Sequence, residues 1–206
     1  MTSPEQSAQS PQQYADRSYR SPAALAAGVL LLLLGLWLGG DAVLRGDSRT
    51  RLTALAALLL GVPLVVAFTV RPLVRAGADR LTVRNPFRTI TLPWGAVDEL
   101  RAGYSAEVST GGRKYQLWAV PVSLRQRKKV GRQPADGMPR SRFGLNADAG
   151  PVPRAMADQT LDELRAAKER AAQRESAHGE PVVRWAYPVI APIAVGALWL
   201  LVMVAV

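Results

Sequence analysis

The sequence predicts a membrane protein with α-helical spans and one small α+β domain. Three observations predict it. Residues 21–40, 52–70 and 185–206 carry no charged side chain, and each is near the roughly 20 residues needed to cross a hydrocarbon core as a helix. Between the second and third stretches, residues 71–124 alternate apolar and polar with turn residues between the runs, the pattern of short strands. Residues 160–177 then show helical periodicity.

The first span contains the run Val29-Leu30-Leu31-Leu32-Leu33-Leu34. Trp37, Trp185 and Tyr187 stand near span ends, where interfacial aromatics belong. Pro63, Pro188 and Pro192 fall within spans and predict kinks. Gly35, Gly39 and Gly40 form a small-residue face suited to close helix packing.

Charge sets the orientation. Of 26 basic and 16 acidic residues, 21 and 12 lie in residues 71–184, so this segment carries nearly all of the net charge of +10. Arg71 and Arg75 follow span two, and Arg184 precedes span three. The positive-inside bias places the N-terminus and residues 71–184 in the cytoplasm of a multi-pass plasma-membrane protein. The loop 41–51 is then external, although it carries Arg45, Arg49 and Arg51, and the C-terminus reaches the outer face. The Arg-, Ala- and Leu-rich composition fits a GC-rich bacterium. With no cysteine, disulfides, thiolate nucleophiles and zinc–thiolate sites are excluded.

Residues 1–20 form a Ser/Gln/Pro-rich tail with too few apolar residues to bury a core, so disorder is expected there. In the β domain, residues 71–124, Leu81-Thr82-Val83-Arg84 alternates, Asn85-Pro86-Phe87-Arg88 turns, and Thr89-Ile90-Thr91-Leu92 alternates again. Pro93-Trp94-Gly95 breaks the chain, and a further strand is expected over 96–101. Thr110-Gly111-Gly112-Arg113 marks a hairpin between strands at 107–109 and 115–120, on which Tyr115 and Trp118 face opposite sides. Residues 125–153 read as a basic Gly/Pro-containing loop, and residues 154–184 as a charged helix and linker. Within the helix, Thr160 and Glu163 have capping-box spacing. Leu161, Leu164, Ala167 and Ala171 make a narrow apolar stripe able to pack on a sheet. The third span occupies 185–206.

Two spans followed by the motifs Asp79-Arg80-Leu81-Thr82-Val83-Arg84-Asn85-Pro86-Phe87-Arg88-Thr89, Leu92-Pro93-Trp94 and Val97-Asp98 resemble actinobacterial membrane proteins with a bacterial PH-like domain, the low-molecular-weight protein antigen 6 type. The likeness covers about residues 71–124. It implies a PH-like, curved antiparallel sheet closed by a C-terminal helix, for which the helix from Thr160 is the candidate. The long basic loop before that helix and the span after it depart from the pattern. The resemblance implies no site residues.

Nothing in the sequence assembles a catalytic site, a cofactor site or a metal site, so no enzyme and no cofactor are expected. His178 is the only histidine and reads as a solvated side chain near a helix end. Asp98 and Glu99, as strand neighbours, point to opposite faces and do not share a proton. Asp162-Glu163 has its capping role, and Gly111-Gly112 lacks the spacing of a phosphate loop. Trp94, after a proline at a strand end, fits core packing better than ligand stacking.

The conspicuous cluster is Arg125, Arg127, Lys128, Lys129 and Arg132, continued by Arg140 and Arg142. It reads either as a solvated loop obeying the positive-inside bias or as a contact for anionic lipid. Nucleic acid is disfavoured because interleaved aromatics and a recognition helix are missing. The expected function is therefore a non-catalytic protein-interaction or scaffold module on the bilayer, whose β domain takes a protein or peptide partner. The alternatives are an anionic-lipid sensor acting through the basic loop, and an accessory subunit of a membrane enzyme or transporter.

Overall fold

The computed structural model describes residues 16–122 and 156–205. Three long apolar helices stand side by side, with an α+β domain at one end. Helix α1 is Pro22–Arg45. Its first turn is set by Pro22 and by Ser21, whose hydroxyl accepts from the Ala24 amide at 3.3 Å. It runs past the apolar block because Asp41 and Arg45 pair one turn apart at 3.1 Å. Helix α2, Ser48–Val65, begins after two intervening residues. Asp47 caps it by accepting from the Thr50 amide at 3.2 Å. The expected loop over 41–51 thus shrinks to a two-residue corner, since side-chain pairing and capping extend both helices.

Pro63 lies inside α2, and beyond it the helix widens into a π turn, Val66–Val70. Proline has no N–H to give, and a looser turn is one way a helix accommodates that loss. Pro188 falls in the first turn of the last helix, α4 (Tyr187–Ala205), where the missing donor costs nothing. The third span therefore starts two residues later than expected. With the π turn included, the three apolar helices are 24, 23 and 19 residues long, enough to cross a membrane.

Helix α2 packs between α1 and α4. Glycines bring the helices together: a Cβ on Gly39 would lie 2.6 Å from the Leu58 side chain, and one on Gly196 would lie 2.6 Å from the Leu60 backbone nitrogen. Of the small-residue face expected in span one, Gly39 is used in this packing, whereas Gly35 and Gly40 border open space.

The domain holds two antiparallel sheets. The first has five strands in the order β1 (Arg17–Tyr19), β2 (Leu73–Ala76), β3 (Arg80–Arg84), β4 (Arg88–Pro93) and β8 (Val182–Trp185). The second is the meander β5 (Glu99–Ala102), β6 (Ala106–Thr110) and β7 (Arg113–Gln116). A short 3-10 turn, Trp94–Ala96, makes the corner between them and delays β5, so the strand expected over 96–101 begins at Glu99. Gly111 and Gly112 both have positive φ (52° and 75°), which is what a two-residue hairpin turn with the right twist requires. The expected hairpin forms there, but its second strand stops at Gln116, and Trp118 lies in the following turn.

The alternation read in 81–92 is realised. Leu81, Val83, Ile90 and Leu92 are fully buried, with polar neighbours between them. Helix α3, Met156–Ala171, closes the core. Its stripe of Ala157, Leu161, Leu164, Ala167 and Ala171 is buried against both sheets. Trp94 is fully buried at the corner, and its indole N–H donates to the Gly77 carbonyl at 3.0 Å.

Two expectations fail here. The helix begins at least four residues before Thr160, so Thr160 and Glu163 form no capping box. Residues 17–19, assigned to a disordered tail, form β1. Main-chain hydrogen bonding to an open sheet edge needs no apolar composition, so composition gave no sign of it.

The apolar seam of α3 has a measurable weight. Leu164→Ala is expected to cost about 3 kcal/mol of unfolding free energy, as for a fully buried leucine. Denaturant titration of the full chain in mild detergent measures it, and an unchanged midpoint would mean that α3 does not seal the core.

Candidate functional site

The base of the domain, where chain leaves the spans and enters the sheet, gathers the unusual side chains. The connections are short: residues 20–21 join β1 to α1, residues 71–72 join the π turn to β2, and Ala186 alone joins β8 to α4. Strand β8 pairs with β4 over Arg88↔Trp185, Thr89↔Arg184, Ile90↔Val183 and Thr91↔Val182. The Ala186 amide extends this ladder by donating to the Phe87 carbonyl at 2.8 Å. The start of α4 is thereby fixed beside the β3–β4 turn.

That turn is built from Asn85-Pro86-Phe87. Asn85 is only 3% exposed. Its side-chain amide donates to the Gln116 carbonyl at 2.9 Å and so links the two sheets. Arg71, the first residue after span two, reaches the same turn. Its Nε donates to the Asn85 carbonyl and its Nη2 to the Thr89 hydroxyl, both at 3.1 Å. Burial, and then the nearby charge of Arg84, hold the Arg71 pKa below its ordinary value. Phe68 packs edge-on against Phe87 and Trp118, with ring centroids 5.4 Å apart in each pair. Arg88 lies 5.4 Å over the ring of Tyr115. Tyr115 is buried and Trp118 half-exposed, so only one of the two belongs to the core.

At the far side of the sheet β1 is tied to α3. Glu163 accepts from the Tyr19 hydroxyl and pairs with Arg17 at 2.9 Å, while Arg75 pairs with Asp16 across β1 and β2. The Tyr19 hydroxyl first, and then Arg17, pull the Glu163 pKa below the usual carboxylate range. The Tyr19 pKa is pushed up to about 12, first by burial and next by Glu163. Glu163, read as a cap, is thus a latch. The signal for it was Tyr19, one of two tyrosines in a largely polar tail.

The sheet edges differ in availability. The carbonyls of Asp98 and Leu100, beside and on β5, are occupied by Lys168 and Arg165 of α3 at 2.9 and 2.7 Å. Among the described residues strand β8 pairs on one side only, and all four of its residues are exposed there, Val182, Val183 and Trp185 among them.

The residues singled out for anionic lipid, Arg125, Arg127, Lys128, Lys129, Arg132, Arg140 and Arg142, lie outside the described residues. His178 is exposed and lies against Gly95. Asp98 and Glu99 are exposed, and Glu99 pairs with Arg101 at 3.2 Å. Among the described residues no group of three His, Cys, Asp or Glu is placed to hold a metal ion.

A family model described as a bacterial PH domain matches residues 71–174. No curated protein and no solved structure matches the chain. The matched region takes in β2 to β7 and α3, and leaves β1, β8 and the three apolar helices outside it.

The latch has a pH signature. A carboxyl whose folded pKa is depressed contributes stability above its unfolded value, and that contribution is lost as pH falls through the folded value. The stability difference between wild type and Glu163→Gln should be full near neutral pH and shrink below about pH 4, the unfolded glutamate range. Thermal melts across that window check it. A difference that stays constant with pH would show that the carboxylate charge is not what Tyr19 and Arg17 hold.

Proposed function

Because the chain belongs to the bacterial PH domain family, we propose that it is a membrane-anchored, non-catalytic interaction module that takes an extended protein segment along the free edge of β8. The observation that carries this reading is that edge. Among the described residues it is unpaired, three of its four residues are apolar, with Val182 and Val183 on its two faces, and it stands one residue from a helix of membrane-spanning length. Exposed edge strands with apolar side chains are templates for an added strand. Natural sheets commonly protect such edges with several charged side chains, proline or a covering element, and β8 carries no proline and one charged side chain, Arg184.

Three helices of 24, 23 and 19 residues with outward-facing leucines support anchoring in a bilayer. The basic bias of residues 71–184 supports a cytoplasmic domain, with the corner at 46–47 and the end of α4 on the outer side. In this reading the layout is that of the actinobacterial antigen 6 type implied by the sequence resemblance. An edge next to the membrane suits a partner that is itself a membrane protein, whose juxtamembrane segment lies at the right height.

Crosslinking of the full chain in its native membrane, followed by mass spectrometry, tests the reading. A defined protein is expected to be captured through residues 182–185. Val182→Lys, on the outward face, should lower the yield about ten-fold while the domain stays folded and in the membrane fraction. Equal capture by wild type and Val182→Lys would remove β8 as the recognition edge. Robust turnover of any substrate by the purified protein would overturn the non-catalytic assignment.

A further inference from the structure

The outer face of the five-stranded sheet holds a cationic site at its membrane-side end. In the register, Arg84 on β3 lies opposite Thr89 on β4, and Thr89 lies opposite Arg184 on β8. Side chains of directly opposed residues in antiparallel strands share a face. Arg84 and Arg184 therefore flank Thr89, each about 5 Å away across the sheet. Arg71 comes in over the middle of this row, since its Nη2 donates to the Thr89 hydroxyl at 3.1 Å. Its Nε is held by the Asn85 carbonyl, so the guanidinium plane is fixed rather than free to swing.

One guanidinium, that of Arg71, thus meets the Thr89 hydroxyl, and Arg84 and Arg184 leave the same face of the sheet on either side of it. The ion pairs formed among the described residues are made by other arginines. None of the three meets a carboxylate there. A partly buried Arg71 beside a second arginine is an unbalanced charge, and an anion between them would balance it. Planar guanidinium forks match phosphate oxygens two at a time.

The position of the cluster identifies the source of the anion. Arg71 directly follows span two, Arg184 stands three residues before α4, and the Phe68–Phe87–Trp118 cluster lies alongside. We propose that Arg71, Arg84 and Arg184, centred on Thr89, bind the phosphate of an anionic phospholipid in the leaflet bordering the domain. The inference rests on the anchoring reading above and does not depend on the basic loop or on the β8 edge. Lipid phosphate, rather than phosphate from solution, fits a site whose walls continue into apolar helices. Its acyl chains would lie along the exposed faces of those helices. Occupancy would also seat the sheet at a fixed height on the bilayer.

The test uses the full chain in nanodiscs of phosphatidylcholine with a minor share of phosphatidylglycerol, and reads lipid retained on the released protein by native mass spectrometry. Wild type should retain phosphatidylglycerol over phosphatidylcholine. Arg84→Gln and Arg184→Gln should each lower retention about five-fold, and the pair about twenty-five-fold, the weight of one basic residue at an anionic surface. Both side chains are exposed, so the fold should persist. The charge-keeping pair Arg84→Lys with Arg184→Lys should recover most of the retention, which a purely structural role would not explain. Arg113→Gln, at the distant β6–β7 hairpin, should change nothing. Retention by the double Gln variant equal to wild type would overturn the proposal. If excess inorganic phosphate displaces the lipid from wild type, the site takes a soluble anion and the lipid assignment falls. Failure of wild type to enter the discs would instead defeat the anchoring reading, and is seen before any lipid is counted.

Discussion

The ladder between β4 and β8 is the constraint on which the rest of the architecture depends. Residues 182–185 lie far along the chain from β4, yet four register pairs and the Ala186–Phe87 hydrogen bond lock them together. This sets where α4 starts. Helix α4 must then descend beside α2, since the exit of α2 leads within two residues to β2 of the same sheet. The packing of α4 on α2, the close approach at Gly196, and the row from Arg84 through Thr89 to Arg184 all follow from that one pairing. Without it, the last helix would be tied to the domain only through residues 172–186.

Attachment through three short connections has a mechanical consequence. A domain on one flexible tether samples many orientations, whereas this one is joined to its helices by two, two and one residues. Rotating the sheet relative to the helices would break main-chain ladders rather than bend a linker. The faces and edges of the domain therefore keep a fixed relation to the helix axes. The β1 latch strengthens this. Arg17 and Tyr19 clamp Glu163 on α3, so the segment leading into α1 is held by both the sheet and the helix that closes the core.

What could be read from the sequence follows physical range. The long helices depend on local apolar content, and all three, each long and apolar enough to cross a membrane, were legible to within a few residues. The alternation of Leu81, Val83, Ile90 and Leu92, the Gly111-Gly112 hairpin and the stripe on α3 are also local patterns, and each sits where its periodicity placed it. What escaped was non-local. Strand β1 is three residues of polar sequence that become a strand only because β2 offers an edge. Strand β8 merges in composition with the span that follows, so Trp185 read as membrane although it ends a strand. Glu163 has the spacing of a cap, but its partners are 144 and 146 positions away. The candidate site shares this property. In sequence Arg71 and Arg184 stand out only as junction charges and Arg84 not at all, and it is the register across three strands together with the Arg71–Thr89 hydrogen bond that makes them neighbours.

The same reasoning separates two kinds of positive charge in this chain. A basic run in a sequence carries charge by number alone, and any anionic surface within a Debye length can satisfy such a run. The arginines around Thr89 are spaced by strand geometry, and one is pinned by two hydrogen bonds. Fixed spacing lowers the conformational entropy lost on binding and raises the requirement for a matching anion. A diffuse basic segment holds a domain near a membrane whichever anionic lipid is there. A site with one pinned guanidinium between two arginines of fixed strand position would discriminate by headgroup and set the height of the sheet. The β8 edge runs from Val182 to Trp185 through Arg184, so the residue that would fix that height belongs to the strand offered to a partner. If both proposals hold, seating the sheet and presenting its edge would be coupled through one strand. A lipid bound on the outer face of β8 would order the template on which a partner's strand is added.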